Sequence, residues 1–293
     1  MSKIKNRQKQ GPFFRRIKRR PVKTITILPS LVTIVNGVCG FGAIVFAGGG
    51  SLAVDWPRSL VIASYLVFVA MIADMLDGRL ARMSHSTSSF GGQLDSLCDA
   101  ISFGVAPAFI MLKLLTHHLA EAGLTGEHLV TRFLWLCALA YTCCAVIRLA
   151  RFNVENVESE TDHGSFIGLP SPAAAGVVCS LVLLHQETWP QSRIIPLALP
   201  FVTLGAAVLM VSRIRYIHVP NHYLAGKKPL NYLIMFLLPL GALIVYPQVT
   251  LALFFCGFAL SSVVRAAYLK LRHRRAEVAA VTEDLNKIPS SPV

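Results

Sequence analysis

Eight stretches of this chain are apolar over the length a helix needs to cross a bilayer, and that decides what it can fold into. They run roughly over 27–48, 59–77, 99–116, 131–149, 172–186, 194–212, 230–246 and 249–269. About 20 apolar residues rising ~1.5 Å each span a hydrocarbon core of about 30 Å. In lipid, a helix satisfies every backbone donor and acceptor within its own segment. The chain is 54% hydrophobic and only 15% charged, against about 25% charged for a soluble domain. The expectation is an all-α integral membrane protein, a polytopic helical bundle of about eight spans. Seven is the alternative count, because the fifth run is short and the loop before the eighth is tight.

Lysine and arginine set the orientation. Residues 1–24 hold ten of the 28. With that end cytoplasmic and eight spans, 24 fall on the cytoplasmic side and four, Arg58, Lys113, Arg132 and Arg193, on the other. Both termini are then cytoplasmic. The net charge of +13 is mostly this asymmetry, so no nucleic-acid partner is expected. Residues 1–24 read as a basic cytoplasmic segment, either interfacial on anionic lipid or a plain tail. Residues 25–270 form the membrane domain, and 271–293 a polar, disordered cytoplasmic tail. Residues 1–20 do not read as a cleavable leader or an organelle signal, so a bacterial cytoplasmic (inner) membrane is expected. The seven cysteines contain no C-x-x-C pair and mostly fall in apolar runs, where they serve as small apolar residues.

Against this background four acids stand out. Asp74 and Asp77 are i and i+3 at the end of the second run, and Asp95 and Asp99 are i and i+4 at the start of the third. Each pair shares a helix face. The linker between the runs is short, so the four carboxylates should meet at the cytoplasmic membrane surface. Crowded carboxylates must protonate or hold a cation. An all-oxygen set suits Mg²⁺ or Mn²⁺, and two ions could share bridging ligands. Gly78, Ala81 and Gly91 leave space beside the acids, and Arg82 could clamp a phosphate. A cation-coupled membrane transporter also uses intramembrane acids. That reading leaves Gly78, Ala81, Arg82 and Gly91 unexplained.

The run Asp74-x-x-Asp77-Gly78-x-x-Ala81-Arg82, eight residues, Gly91, x3, Asp95, x3, Asp99 resembles the signature of the CDP-alcohol phosphotransferase family at every position. The resemblance implies a membrane enzyme with a six-helix core, here followed by about two further spans, and a homodimer. It implies displacement of CMP from a CDP-linked donor by an alcohol. It assigns Asp74, Asp77 and Asp95 to the metals, and Asp99 to the base, itself close to the metals. It places Gly78, Ala81, Arg82 and Gly91 around the CDP moiety. Near the N-terminus, Pro29, Thr33, Asn36 and Gly40 resemble the first-helix pattern of the phosphatidylserine synthase branch, with Ser30 replacing an Asn. Asn36 would contact the cytidine, or pack as a polar residue between helices.

Which alcohol is used turns on a second region. Arg148-Leu-Ala-Arg151-Phe-Asn153 and Phe166-Ile-Gly168-Leu-Pro170-Ser-Pro172 resemble the same branch, as do Met210-Val-Ser212 and Arg215-Tyr216. Arg148 and Arg151 are i and i+3 and could bind a carboxylate or phosphate, although positive-inside anchoring is the simpler role for two arginines. With Asn153 they are the candidate serine contacts. The resemblance implies CDP-diacylglycerol and L-serine as substrates, drawn from the membrane and the cytoplasm. A sister transferase acting on glycerol 3-phosphate or inositol phosphate is the alternative. His85 and His163 fall on the same side and could touch substrate or simply line a loop.

Overall fold

The computed structural model describes residues 27–49, 55–83, 89–123, 128–158, 165–212, 215–217 and 241–261, with 263, 264 and 268. These are helical except for one short ribbon. In chain order they are α1 (Ile27–Ala47), α2 (Trp56–Met83), α3 (Ser89–Asp99), α4 (Ala106–Glu121) and α5 (His128–Glu158). There follow β1 (Ser165–Ile167), α6 (Ser171–Leu183), α7 (Ile194–Val211), β2 (Arg215–Ile217) and α8 (Pro247–Ser261).

Five helices among the described residues are long and apolar enough to cross a membrane, and the protein is an integral membrane protein. α6 is shorter and continues as a π-helical segment over Leu184–Thr188. The seventh predicted run lies largely outside the described residues, and the eighth overlaps α8, which begins two residues earlier. Residues 1–24, 271–293, His85 and His163 also lie outside them.

The third run departs from its predicted start. Helix begins at Ser89, ten residues before the apolar stretch, and α3, a π segment over Ala100–Val105 and α4 form one rod. At ~1.5 Å per residue, the 32 residues Phe90–Glu121 reach about 48 Å, well beyond a ~30 Å hydrocarbon core. The polar α3 therefore needs no apolar runs to be helical. It extends the same helix past the lipid.

The π segment has identifiable support. Widening the turn misaligns main-chain carbonyls from their usual partners, and α5 supplies substitutes. Tyr141 donates its hydroxyl to the carbonyl of Phe103 over 3.1 Å. Thr142 donates to that of Gly104 at 3.4 Å.

α6 is the enclosed centre. Eleven of its 13 residues are buried, most of them Ala, Gly, Ser or Val. Small residues let helices approach closely where lipid gives no hydrophobic drive to associate. Gly176 lies against the Phe255 ring of α8, with no room for a side chain. Conversely, α1 exposes Leu31, Ile34, Val35, Val38 and Phe41, an outer face suited to lipid.

β1 and β2 pair antiparallel, with Phe166 opposite Tyr216 and Ile167 opposite Arg215. Two stretches nearly 50 residues apart in sequence thus meet at one end of the bundle. Gly168 makes the turn out of β1 with φ of +85°. A Cβ there would strike the carbonyl oxygens of Met210 and Ser212 at the end of α7. Leu169 N–H then donates to the Leu209 carbonyl at 3.0 Å. Glycine is required on both counts.

Candidate active site

The acids are set against one face of α1. Thr33, Asn36 and Gly40 lie at i, i+3 and i+7 and share that face. Each meets a different part of the site. Thr33 hydrogen-bonds the Asp77 carboxylate on α2. Asn36 Nδ2 donates to Asp99 Oδ1 over 2.8 Å. Gly40 sits flush on Ser102, where any Cβ would collide. Ser102 in turn donates its hydroxyl to the carbonyl of Asn36 at 2.9 Å. At Gly37 a Cβ would come within 2.9 Å of Cys98 Sγ. The glycines bring α1 against the α3 rod, and that approach places the Asn36 amide on Asp99.

Carboxylate oxygens of Asp74, Asp95 and Asp99 lie within 4.8 Å of one another. α2 contributes the first and α3 the other two, so helices joined across a short linker do converge. Asp77, one turn beyond Asp74, stands outside that trio and is only 5% exposed. Asp99 is 8% exposed. Asp77 Oδ2 and Asp95 Oδ1 are both buried without a hydrogen-bond partner among the described residues. Buried carboxylate oxygens without donors are costly unless a cation meets them. The donor set therefore fits a hard divalent metal: it is all oxygen, clustered and under-satisfied.

The space beside the acids is open where a ligand would need it. A Cβ at Gly78 would meet nothing within 4 Å. Gly91 is half-buried one turn before Asp95. Ala81 and Arg82 continue α2, and their side chains lie outside the described part.

Arg148 faces the acids from α5, near enough for its charge to act on Asp99 and Asp74. Its Nη1 donates to Ser171 Oγ over 2.7 Å, and Ser171 is fully buried at the start of α6. Its Nε is buried with no hydrogen-bond partner among the described residues. Arg151 is half-buried one turn further on. Asn153 behaves differently. It exchanges two hydrogen bonds with Ser96 Oγ, at 2.8 and 3.1 Å, and so straps α5 to α3 beside Asp95. Ser171 was not singled out from the sequence, and its only signal there is its place between Pro170 and Pro172.

The family model for CDP-alcohol phosphatidyltransferases matches residues 26–212, which contain every residue of the candidate site. The chain belongs to the CDP-alcohol phosphatidyltransferase family. Among its relatives, a CDP-diacylglycerol–serine O-phosphatidyltransferase of Helicobacter pylori is 33% identical over 253 residues, covering 86% of this chain and 96% of that protein. The protein of the same name in Bacillus subtilis is 32% identical, over 67% of this chain and 92% of its own. That of Methanocaldococcus jannaschii is 30% identical, over 68% and 78%.

Proposed function

We propose that this protein transfers the phosphatidyl group of CDP-diacylglycerol to L-serine, giving phosphatidylserine and CMP. The observation that carries the reading is the pairing of an under-satisfied carboxylate cluster with a half-buried arginine whose Nε is enclosed. The acids suit the pyrophosphate end of the donor, and Arg148 suits the acceptor. The names of the relatives favour serine over glycerol 3-phosphate or inositol phosphate.

Asp74, Asp77, Asp95 and Asp99 would hold Mg²⁺ or Mn²⁺, as two ions. When bound, such ions supply charge neutralisation at the pyrophosphate. The remaining work falls to the chain. Asp99 accepts the proton of the serine hydroxyl. The serine oxygen becomes bonded to the phosphatidyl phosphorus, the bond from that phosphorus to the bridging oxygen breaks, and CMP leaves with the electron pair. Asn36 holds one oxygen of Asp99 and so fixes how the carboxylate is presented. That role differs from the cytidine contact expected of Asn36. Arg148, braced by Ser171, offers its free Nε–H to the serine carboxylate. Arg151 adds positive charge beside it. Gly78, Ala81, Arg82 and Gly91 surround the CDP moiety.

The same reading makes the enzyme a homodimer of the bacterial cytoplasmic (inner) membrane. Its active site faces the cytoplasm, where serine and CMP are soluble, and the donor's acyl chains enter sideways from lipid. The test is purified enzyme given labelled CDP-diacylglycerol. CMP release should require serine. Release only with glycerol 3-phosphate or an inositol phosphate would transfer the reading to a sister enzyme. No release with any acceptor, at any Mg²⁺ or Mn²⁺ level, would end it.

A further inference from the structure

A second cluster of metal-ligating side chains lies at the other end of the bundle. His118 is 19 residues beyond Asp99 on the same rod, or about 28 Å at ~1.5 Å per residue. Its Nε2 stands 2.9 Å from Nε2 of His185, in the π segment after α6. Glu121, one turn further along α4, lies behind the pair. Its carboxylate is 3.5 Å from His118 Nδ1 and 3.6 Å from His117 Nδ1. His117 stacks on Trp56 with centroids 3.7 Å apart, which turns it away from the pair.

The proton positions limit what this contact can be. A carboxylate beside His118 Nδ1 favours the proton there and leaves the lone pair of neutral His118 on Nε2. That lone pair points at His185, which is 1% exposed. His185 Nδ1 is enclosed, and the His185 ring meets the backbone of Trp189. If His185 donates from Nε2, a bare lone pair is left buried on Nδ1. If instead Nδ1 carries the proton, the short contact needs either an extra proton on His118 Nε2 or a cation between two Nε2 lone pairs. A cation between them satisfies that second arrangement.

We propose that His118 and His185 form a second metal site, for a borderline divalent ion such as Zn²⁺, which clamps α4 to the end of α6. Two imidazole nitrogens select Zn²⁺ or Cu²⁺ over the hard ions suited to the acids. Two Zn–N bonds of ~2.0–2.1 Å at a tetrahedral angle put the nitrogens ~3.3 Å apart, so the rings need part by only a few tenths of an ångström. His118 is 33% exposed, which gives the ion an entry path and leaves its remaining positions to water. The carboxylate–histidine–metal relay of Glu121 orients the first ligand. The site does not depend on the proposed serine chemistry.

The test uses the full chain in detergent with excess Mg²⁺, so that the acids are occupied. Micromolar Zn²⁺ should bind one ion per chain and raise Tm by several degrees, since a ligand bound only to the folded state stabilises it. The rise should persist in Asp95→Asn and vanish in His185→Gln and His118→Gln. His118 is the more exposed of the pair, so its variant keeps the test usable if His185→Gln fails to fold. Cu²⁺ bound to the unmodified chain should give an electron paramagnetic resonance pattern of two imidazole nitrogens. The proposal is overturned by no Tm rise, by a rise that survives both histidine variants, by its loss in Asp95→Asn, or by a Cu²⁺ spectrum with oxygen ligands only.

Discussion

At the scale of single residues, the site divides into groups that touch substrate and groups that aim them. Asp99 is given the proton transfer, so Asp99→Asn should lower turnover by about 10²–10⁴-fold while CDP-diacylglycerol still binds. Loss of donor binding instead would make Asp99 chiefly a metal ligand. Asn36 touches Asp99 through its amide, and Asn36→Ala should cost about 10- to 100-fold in kcat with little change in the KM for CDP-diacylglycerol. A rise confined to that KM would return Asn36 to the cytidine. Arg148→Ala should raise the KM for serine more than that for the lipid donor, and Arg148→Lys should recover little, because an ammonium cannot bridge Ser171 and a carboxylate as a guanidinium fork does. Removing divalent ions with a chelator should stop CMP release, and Mg²⁺ or Mn²⁺ should restore it.

Among elements, α1 meets the most parts of the site, and its sequence pattern does not say which. Its apolar run marks it as a span, but Thr33, Asn36 and Gly40 show their purpose only when α2 and α3 lie against it. Gly40→Val would push α1 off Ser102. Overpacking of that kind costs about 1–3 kcal/mol and would also withdraw Asn36 from Asp99. Lower Tm together with lower kcat is the expected result, and an unchanged kcat would separate the contact from catalysis. α3 was legible as helix back to Asp95, from the i and i+4 spacing of its acids, but not back to Ser89, because hydropathy registers lipid contact and the helix outruns the lipid. The pairing of β1 with β2 was visible only as two motif-bearing stretches without a stated relation. Their partnership is a long-range contact, which no local periodicity encodes.

On the scale of the whole molecule, the two ends do different things. One collects the acids, Arg148 and the β ribbon, while the other holds packing and polar ties. There Glu187 accepts from Tyr65 over 3.3 Å and also from Gln248, joining α2, the π segment after α6 and α8. Glu187→Gln should lower Tm while leaving the KM for both substrates unchanged, since the contact is far from the acids. A changed KM would mean that the two ends are coupled. The sequence alone determined the membrane class, the apolar spans that are described and the four acids, because each follows from local composition or from spacing on one helix. Only the tertiary structure decided that Asp74, Asp95 and Asp99 form the close trio with Asp77 hydrogen-bonded to Thr33 beside them, that the Asn36 amide lies on Asp99, and that Asn153 hydrogen-bonds Ser96. Those outcomes depend on how closely one helix can approach another, and that distance is set by glycines and small residues facing partners distant in the chain.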